Sequence, residues 1–175
     1  VEQLTHDTIL PMINTLISRL DKIINDTRKG QIIKNGIDTV IIGKPNVGKS
    51  SLLNALIKED KAIVTDIAGT TRDIVEGTIN LDGITLNLID TAGIRKSNDY
   101  IEKIGIDKSL KSLEKAKLVL LVLDGSKELE EEDYELLEKT KNYQRIIILN
   151  KTDKGEMVKI DDSIKISAIN KDILE

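Results

Sequence analysis

The 175 residues carry a formal net charge of -4, with 32% charged and 39% hydrophobic side chains, a balance that fits one globular domain with a single core. With no Trp, no Phe and only 3 Tyr, that core must be built from Ile, Leu and Val, and the chain lacks both the aromatic platforms and the net basic charge of a nucleic-acid grip. Zero Cys excludes disulfides, thiolate metal sites and thiol catalysis.

The chain opens on Val1 with no secretory leader and no initiator Met, so it reads as a piece of a longer cytoplasmic protein. From Glu2 to about Lys29, Ile9, Met12, Ile13, Leu16, Ile17, Leu20, Ile23 and Ile24 fall on one helical face, with Gly30 as a stop. Pro11 is expected to kink this helix or mark its true start. No partner helix follows, so the apolar stripe is expected to pack on parts of the protein outside this chain. His6 is expected to be exposed to solvent.

After the connector GQIIKNG, strands alternate with helices, which predicts a mainly parallel sheet covered on both faces. Strands are predicted at about Thr39–Ile42, Ile74–Leu81, Thr85–Asp90, Leu118–Asp124, Arg145–Leu149 and Ile164–Ser167. Asp82-Gly83 predicts an antiparallel hairpin between the second and third. Helices are predicted at about Lys49–Ile57, Ile101–Lys115 and Glu128–Lys141. The acidic ELEEEDYELLEK reads as the solvated face of the last helix. Leu118 to Leu123, the longest kind of apolar run here, is strand-length and far short of a membrane span.

Directly after the first strand comes Gly43-Lys44-Pro45-Asn46-Val47-Gly48-Lys49-Ser50, a complete GxxxxGK[ST]. Its glycines let backbone amides approach phosphate oxygens, and the helix that follows turns its partial positive end toward them. The expected nucleotide contacts run through Asn46, Val47, Gly48, Lys49, Ser50 and Ser51, with Lys49 on the outer phosphates and Ser50 on magnesium.

Asn150-Lys151-Thr152-Asp153 at the end of a later strand selects the base. The Asp153 carboxylate accepts two hydrogen bonds from the N1 and N2 donors of guanine, a pair that adenine cannot offer. Ser167-Ala168, at the end of the last strand, is the candidate guanine-supporting loop. Two segments between these are candidates for sensing the third phosphate. One is Asp66-Ile67-Ala68-Gly69-Thr70-Thr71, preceded by Thr65, where Thr71 completes the magnesium shell. The other is Asp90-Thr91-Ala92-Gly93, with Asp90 near the metal and the Gly93 amide facing the γ-phosphate. The order of these motifs describes an α/β P-loop NTPase, a Ras-like G domain over Ile37 to Glu175, with a mainly parallel six-stranded sheet, one antiparallel hairpin strand and a preceding α-helix.

GKPNVGKSSLLNAL, DKAIVTDIAGTTRDIVEGTINLDG and LIDTAGIRKSNDYIEKIGIDKS together resemble the MnmE (TrmE) family of tRNA-uridine-modification GTPases over nearly the whole chain. The Der/EngA ribosome-assembly GTPases are also similar at NVGKS, GTTRD and DTAGIRK. A further alternative, from a different class, is a non-catalytic module in which GTP drives dimerisation. The MnmE resemblance implies that residues 1–30 lead in from a helical domain, 31–36 connect, and 37–175 form the GTP-binding domain. It also implies hydrolysis of GTP to GDP and phosphate with Mg2+ and K+, homodimerisation through GTP-bound G domains, and, in the full-length protein, a flavoprotein partner (MnmG/GidA) and tRNA.

Ile94, next to Gly93, cannot orient water by hydrogen bonding, so water positioning must come from elsewhere. The resemblance places it with Glu102 and puts a potassium ion where other GTPases use an arginine finger. Asn46 and the backbone of Thr65, Ile67 and Thr70 would hold that ion, Ser50 and Thr71 the magnesium. On sequence grounds Arg72 and Arg95 are candidates for arginine fingers, with partners in switch ion pairs as the favoured reading.

Overall fold

The computed structural model describes residues 2–26, 35–58, 64–65, 75–89 and 112–167. Among them the elements run α1 (Glu2–Asp26), β1 (Ile37–Ile42), α2 (Lys49–Lys58), β2 (Val64–Thr65), β3 (Val75–Leu81), β4 (Ile84–Ile89), a 3-10 turn (Leu113–Lys115), β5 (Leu118–Asp124), α3 (Glu131–Thr140), β6 (Arg145–Asn150), a second 3-10 turn (Thr152–Lys154) and β7 (Ile164–Lys165). The strands form one 7-stranded sheet in the order β2-β3-β4-β1-β5-β6-β7. All six expected strands are present, and the two-residue β2 extends the sheet beyond β3.

Strand β1 sits between β4 and β5 and pairs with both in parallel. The chain leaves β1 toward one edge of the sheet and returns past it to build the other. This reversal leaves a crevice at the carboxyl end of β1, the usual place for a ligand in an open α/β sheet. β5–β6 and β6–β7 are also parallel, whereas β2–β3 and β3–β4 are antiparallel. The β3–β4 turn is the expected hairpin: Asp82 at φ 52 and Gly83 at φ 89 both occupy the left-handed region that a two-residue primed turn demands.

Alternation along the strands divides the core in two. Ile37, Ile41, Leu118, Leu120, Val122, Ile146 and Ile148 face α2, whose Leu52, Leu53 and Leu56 fall at helical spacing on its buried side. Val40, Ile42, Val119, Leu121, Leu123, Ile147 and Leu149 face the other way, toward Leu113, Leu136 of α3 and Val158. Because β5 is buried on both faces, LVLLVL is a continuous apolar run rather than an alternating one.

Two elements depart from the sequence reading. The α1 stripe packs on this domain itself: Met12, Ile13, Leu16 and Leu20 are buried in the same cluster as Ile164 and Ile166. The cause is area, since the first face of the sheet is wider than α2 alone and exposes apolar residues beside β7. The helix also runs through Pro11, whose carbonyl accepts a hydrogen bond from the Thr15 hydroxyl at 2.8 Å. Finally, α3 starts at Glu131 rather than Glu128, because Glu130 is extended at φ -97, ψ 170 as the N-cap. Within the acidic run, Asp133 is buried rather than solvated. Of the helix predicted over Ile101–Lys115, residues 101–111 lie outside the described residues, and its last turn, Leu113–Lys115, is 3-10.

Candidate functional site

The turn between β1 and α2 is held open by its lack of side chains. A Cβ on Gly43, at φ +155, would lie 2.2 Å from the Val122 carbonyl oxygen of β5, and one on Gly48, at φ +100, would lie 2.0 Å from Asn150 Nδ2. Only glycine fits either place, so the backbone can pass close to β5 and β6 and turn its amides into the crevice. Asn46, at the exposed tip, takes φ 61.

Lys49 begins α2 and folds back over this turn. Its Nζ donates to the carbonyl oxygens of Gly43 at 2.9 Å and Lys44 at 2.6 Å, which places an ammonium over the concavity. Ser50 and Ser51 are half-buried in the first turn of α2, and no acidic residue stands there to oppose a bound anion. Val47 is buried and anchors the turn from below.

The end of β6 supplies the second half of the site. Buried Asn150 donates from Nδ2 to the Val47 carbonyl oxygen at 2.8 Å, linking the base-reading segment to the phosphate turn across 103 residues. Lys151 takes a left-handed φ of 62 and its Nζ lies 2.8 Å from Asp124 Oδ2 at the end of β5. Asp124 Oδ1 accepts from both the amide and the hydroxyl of Ser126, at 3.1 and 2.6 Å. Burial opposes the charge on Asp124, but the hydrogen bonds from Lys151 and Ser126 outweigh it and hold the carboxyl below the usual carboxylate range.

Exposed Asp153 accepts a hydrogen bond on Oδ1 from the Ser167 hydroxyl at 2.7 Å. The loop bearing Ser167 is pinned by Thr152, whose amide and hydroxyl both donate to the Ile166 carbonyl oxygen, at 3.1 and 2.9 Å. Asp153 therefore stands exposed just after β6 with one oxygen braced by Ser167, and its carboxylate keeps further acceptor capacity.

Of the residues expected from the sequence, the structure brings together Asn46, Val47, Gly48, Lys49, Ser50 and Ser51 with Asn150, Lys151, Asp153 and Ser167, all at carboxyl ends of the strands. Thr65 lies apart, on edge strand β2, its backbone in register with Thr78. Asp66, Ile67, Ala68, Gly69, Thr70, Thr71, Asp90, Thr91, Ala92, Gly93, Glu102 and Ala168 lie outside the described residues, as do Arg72, Ile94 and Arg95. Lys44, Asp124 and Asp133 were missed. Their only signal was position, Lys44 inside the glycine motif and Asp124 at the end of the most buried strand.

Residues 38–151 match the family model described as 50S ribosome-binding GTPase. The chain belongs to this GTPase family. It is a GTP-binding and GTP-hydrolysing domain. The resemblance to MnmE holds across nearly the whole chain: it is 51% identical over 169 residues to the tRNA modification GTPase MnmE of Acholeplasma laidlawii and 49% identical over 174 residues to that of Streptococcus sanguinis, with 97% of the chain covered in each case. The chain spans 38% of the length of these two relatives. Among solved structures, it is similar to a variant of Aquifex aeolicus Era bound to GDP and AlF4-, at 29% identity and a TM-score of 0.52, over 75% of this chain and 51% of that one.

The donor set suits a nucleotide with its magnesium. Lys49 and the amides of the turn could meet phosphates, and the Ser50 hydroxyl, in the first turn of α2, is of the hard oxygen type that magnesium takes. Among the described residues no group of three or more His, Asp or Glu side chains is placed to hold a metal ion.

Proposed function

We propose that this is the G domain of a tRNA wobble-uridine modification GTPase of the MnmE type, with residues 37–175 as the GTP-binding unit, 31–36 as connector and 1–30 leading in from a helical domain. The observation that carries this reading is the 51% identity over 97% of the chain to a protein of that name, together with a phosphate turn locked to a guanine-reading segment.

In this reading Ser50 and Thr71 hold magnesium, while the Asn46 side chain and the backbone of Thr65, Ile67 and Thr70 hold potassium. When bound there, the two cations would supply positive charge against the transferring phosphoryl group. Asn46 suits its role, since it is exposed at the tip of the turn, where its backbone is left-handed. Lys49 bridges the outer phosphates. Asp66, Ala68 and Gly69 belong to one phosphate-sensing segment, and Asp90, Thr91, Ala92 and Gly93 to the other. Glu102 arranges the attacking water, a role that the aliphatic Ile94 cannot fill. Asp153 and Lys151, with Ser167 and Ala168, hold guanine.

GTP-bound domains pair face to face as a homodimer. In the longer protein a flavoprotein of the MnmG/GidA type and tRNA are the further partners, in the cytoplasm. No helix among the described residues is long and apolar enough to cross a membrane.

The test is the GTPase rate against protein concentration in potassium and in sodium. Turnover should rise with concentration and be faster in potassium, and Glu102→Ala should lose turnover while keeping GTP affinity. Equal rates in both salts, with Glu102→Ala unaffected, would overturn the mechanism.

A further inference from the structure

Lys44 occupies one of the unspecified positions of the GxxxxGK[ST] pattern, yet its side chain is closely held. Its Nζ lies 2.7 Å from Asp133 Oδ2 and 2.8 Å from Glu130 Oε2, and the Lys44 and Asp133 side chains are only 13% and 4% exposed. Asp133 is fixed in turn, because Oδ2 also accepts the backbone N–H of Glu130 at 2.9 Å, closing the first turn of α3. Its Oδ1 is buried with no hydrogen-bond partner among the described residues, so the Lys44 ammonium is the principal compensation for a buried carboxylate.

The backbone of the same residue faces the nucleotide side. The Lys44 carbonyl oxygen accepts from Lys49 Nζ at 2.6 Å, beside the Gly43 carbonyl at 2.9 Å. Gly43 is itself pressed against the Val122 carbonyl of β5, where a Cβ would lie at 2.2 Å. The turn is thus pinned by the sheet at Gly43 and by α3 at Lys44, and the two pinned carbonyls are those that orient the Lys49 ammonium. We propose that Lys44 is a positioning residue for GTP: clamped by Asp133 and Glu130, it fixes the carbonyl that aims Lys49 at the outer phosphates.

The inference rests on the GTPase assignment and is independent of the tRNA role and of potassium. A surface ion pair that served stability alone would change the unfolding midpoint and leave the folded protein's handling of nucleotide intact. A clamp on the Lys49 carbonyl acts on phosphate contacts, which strengthen in the transition state, so kcat should suffer more than KM.

The experiment uses the full 175-residue chain. Binding of a non-hydrolysable fluorescent GTP analogue, kcat and KM for GTP, and the thermal midpoint are measured for Lys44→Met, Lys44→Arg, Asp133→Asn and the Lys44→Met/Asp133→Asn double variant. Lys139→Ala, which breaks only a surface pair with Glu135 on α3, serves as control. Lys44→Met should bind the analogue several-fold more weakly and lose about tenfold in kcat. Lys44→Arg should recover most of both, and the double variant should be no worse than the poorer single variant.

Wild-type analogue affinity and kcat in Lys44→Met would overturn the proposal, whatever its melting behaviour. Lys44→Met leaves the buried Asp133 carboxylate without its cation, so if it fails to fold the Lys44→Met/Asp133→Asn double variant, which removes both charges, carries the test: wild-type analogue affinity and kcat in it would equally overturn the proposal. Failure of the unmodified chain to bind the analogue would overturn the GTPase reading itself, and this inference with it.

Discussion

Asn150 Nδ2 donates to the Val47 carbonyl oxygen at 2.8 Å, so the segment proposed to read the base and the turn proposed to hold the phosphates are one hydrogen-bonded body. Both groups lie in buried residues, Asn150 1% and Val47 2% exposed, where water cannot replace the bond. Asn150→Ala should therefore cost about 1–3 kcal/mol of stability, the usual penalty for a buried group left without its partner. Urea unfolding without nucleotide measures this term, and a nucleotide titration should show weaker GTP binding as the turn loosens. Unchanged stability would mean that the Val47 carbonyl finds another donor.

The same contact predicts a contrast between two glycines. Gly48→Ala must place a methyl group 2.0 Å from Asn150 Nδ2 at a backbone φ of +100, so it strains the turn and breaks the Asn150 link together. GTP affinity should fall about ten- to hundredfold, from roughly 1–3 kcal/mol of combined strain and lost hydrogen bonding. Gly83→Ala also sits at positive φ, +89, but meets nothing within 4 Å, so it should lower stability by only about 1 kcal/mol and leave GTP binding intact. Equal effects of the two on nucleotide affinity would refute the steric account of Gly48.

Legibility in the sequence followed the range of the forces involved. β5 matches its predicted bounds, Leu118–Asp124, because a strand buried on both faces is a continuous apolar run ended by a charge. The Asp82-Gly83 turn was equally legible, since its geometry is set by the two residues themselves. The phosphate turn and NKTD could be read because phosphate and guanine chemistry dictate residue types at fixed spacing.

What escaped depends on distant partners. Asp133 sits among Glu130, Glu131, Glu132 and Glu135, and nothing local distinguishes it; its burial is decided by Lys44, far away in the chain. The two-residue β2 is too short for any period to declare itself. The destination of the α1 stripe was misjudged because periodicity reports that a face is apolar, not what covers it. Asp66–Thr71 and Asp90–Gly93, read from the order of the motifs, and Glu102, read from resemblance, lie outside the described residues.

Base choice gives a third prediction. Asp153 is exposed and braced through Oδ1 by the Ser167 hydroxyl at 2.7 Å, so in the proposed reading guanine recognition draws on both residues. Asp153→Ala should lower GTP affinity by about a hundredfold or more, since two hydrogen bonds to a charged acceptor are lost, each worth about 1.5–3 kcal/mol. Ser167→Ala leaves the carboxylate but frees its rotation, so a loss of only a few-fold is expected. Competition of GTP against ATP checks the specificity directly: discrimination should collapse in Asp153→Ala and persist in Ser167→Ala. Undiminished preference for GTP in Asp153→Ala would place base recognition elsewhere.

The pair of Asp124 with Lys151 gives stability a dependence on acid whose sign is fixed. Partial burial raises the carboxyl's affinity for a proton, but the Lys151 and Ser126 hydrogen bonds more than reverse this, so its folded pKa lies below the unfolded value of about 3.9. The folded state then holds fewer protons than the unfolded one between these two values. The stabilisation is fully present above about pH 4–5 and is lost as pH falls through the folded pKa. Asp124→Asn should therefore be less stable than the unmodified chain by a constant margin from about pH 5 to pH 8, and the margin should close only in stronger acid. Lys44 has the opposite sense. Burial disfavours its charge, but Asp133 and Glu130 outweigh this and raise its pKa, so its contribution is complete below about pH 10 and fades only as alkali titrates the folded group. Urea unfolding of Asp124→Asn, Lys44→Met and the unmodified chain across a pH series checks both arms. A margin for Asp124→Asn that vanished near pH 6, or widened in acid, would contradict the assignment of the Lys151 pair as its cause.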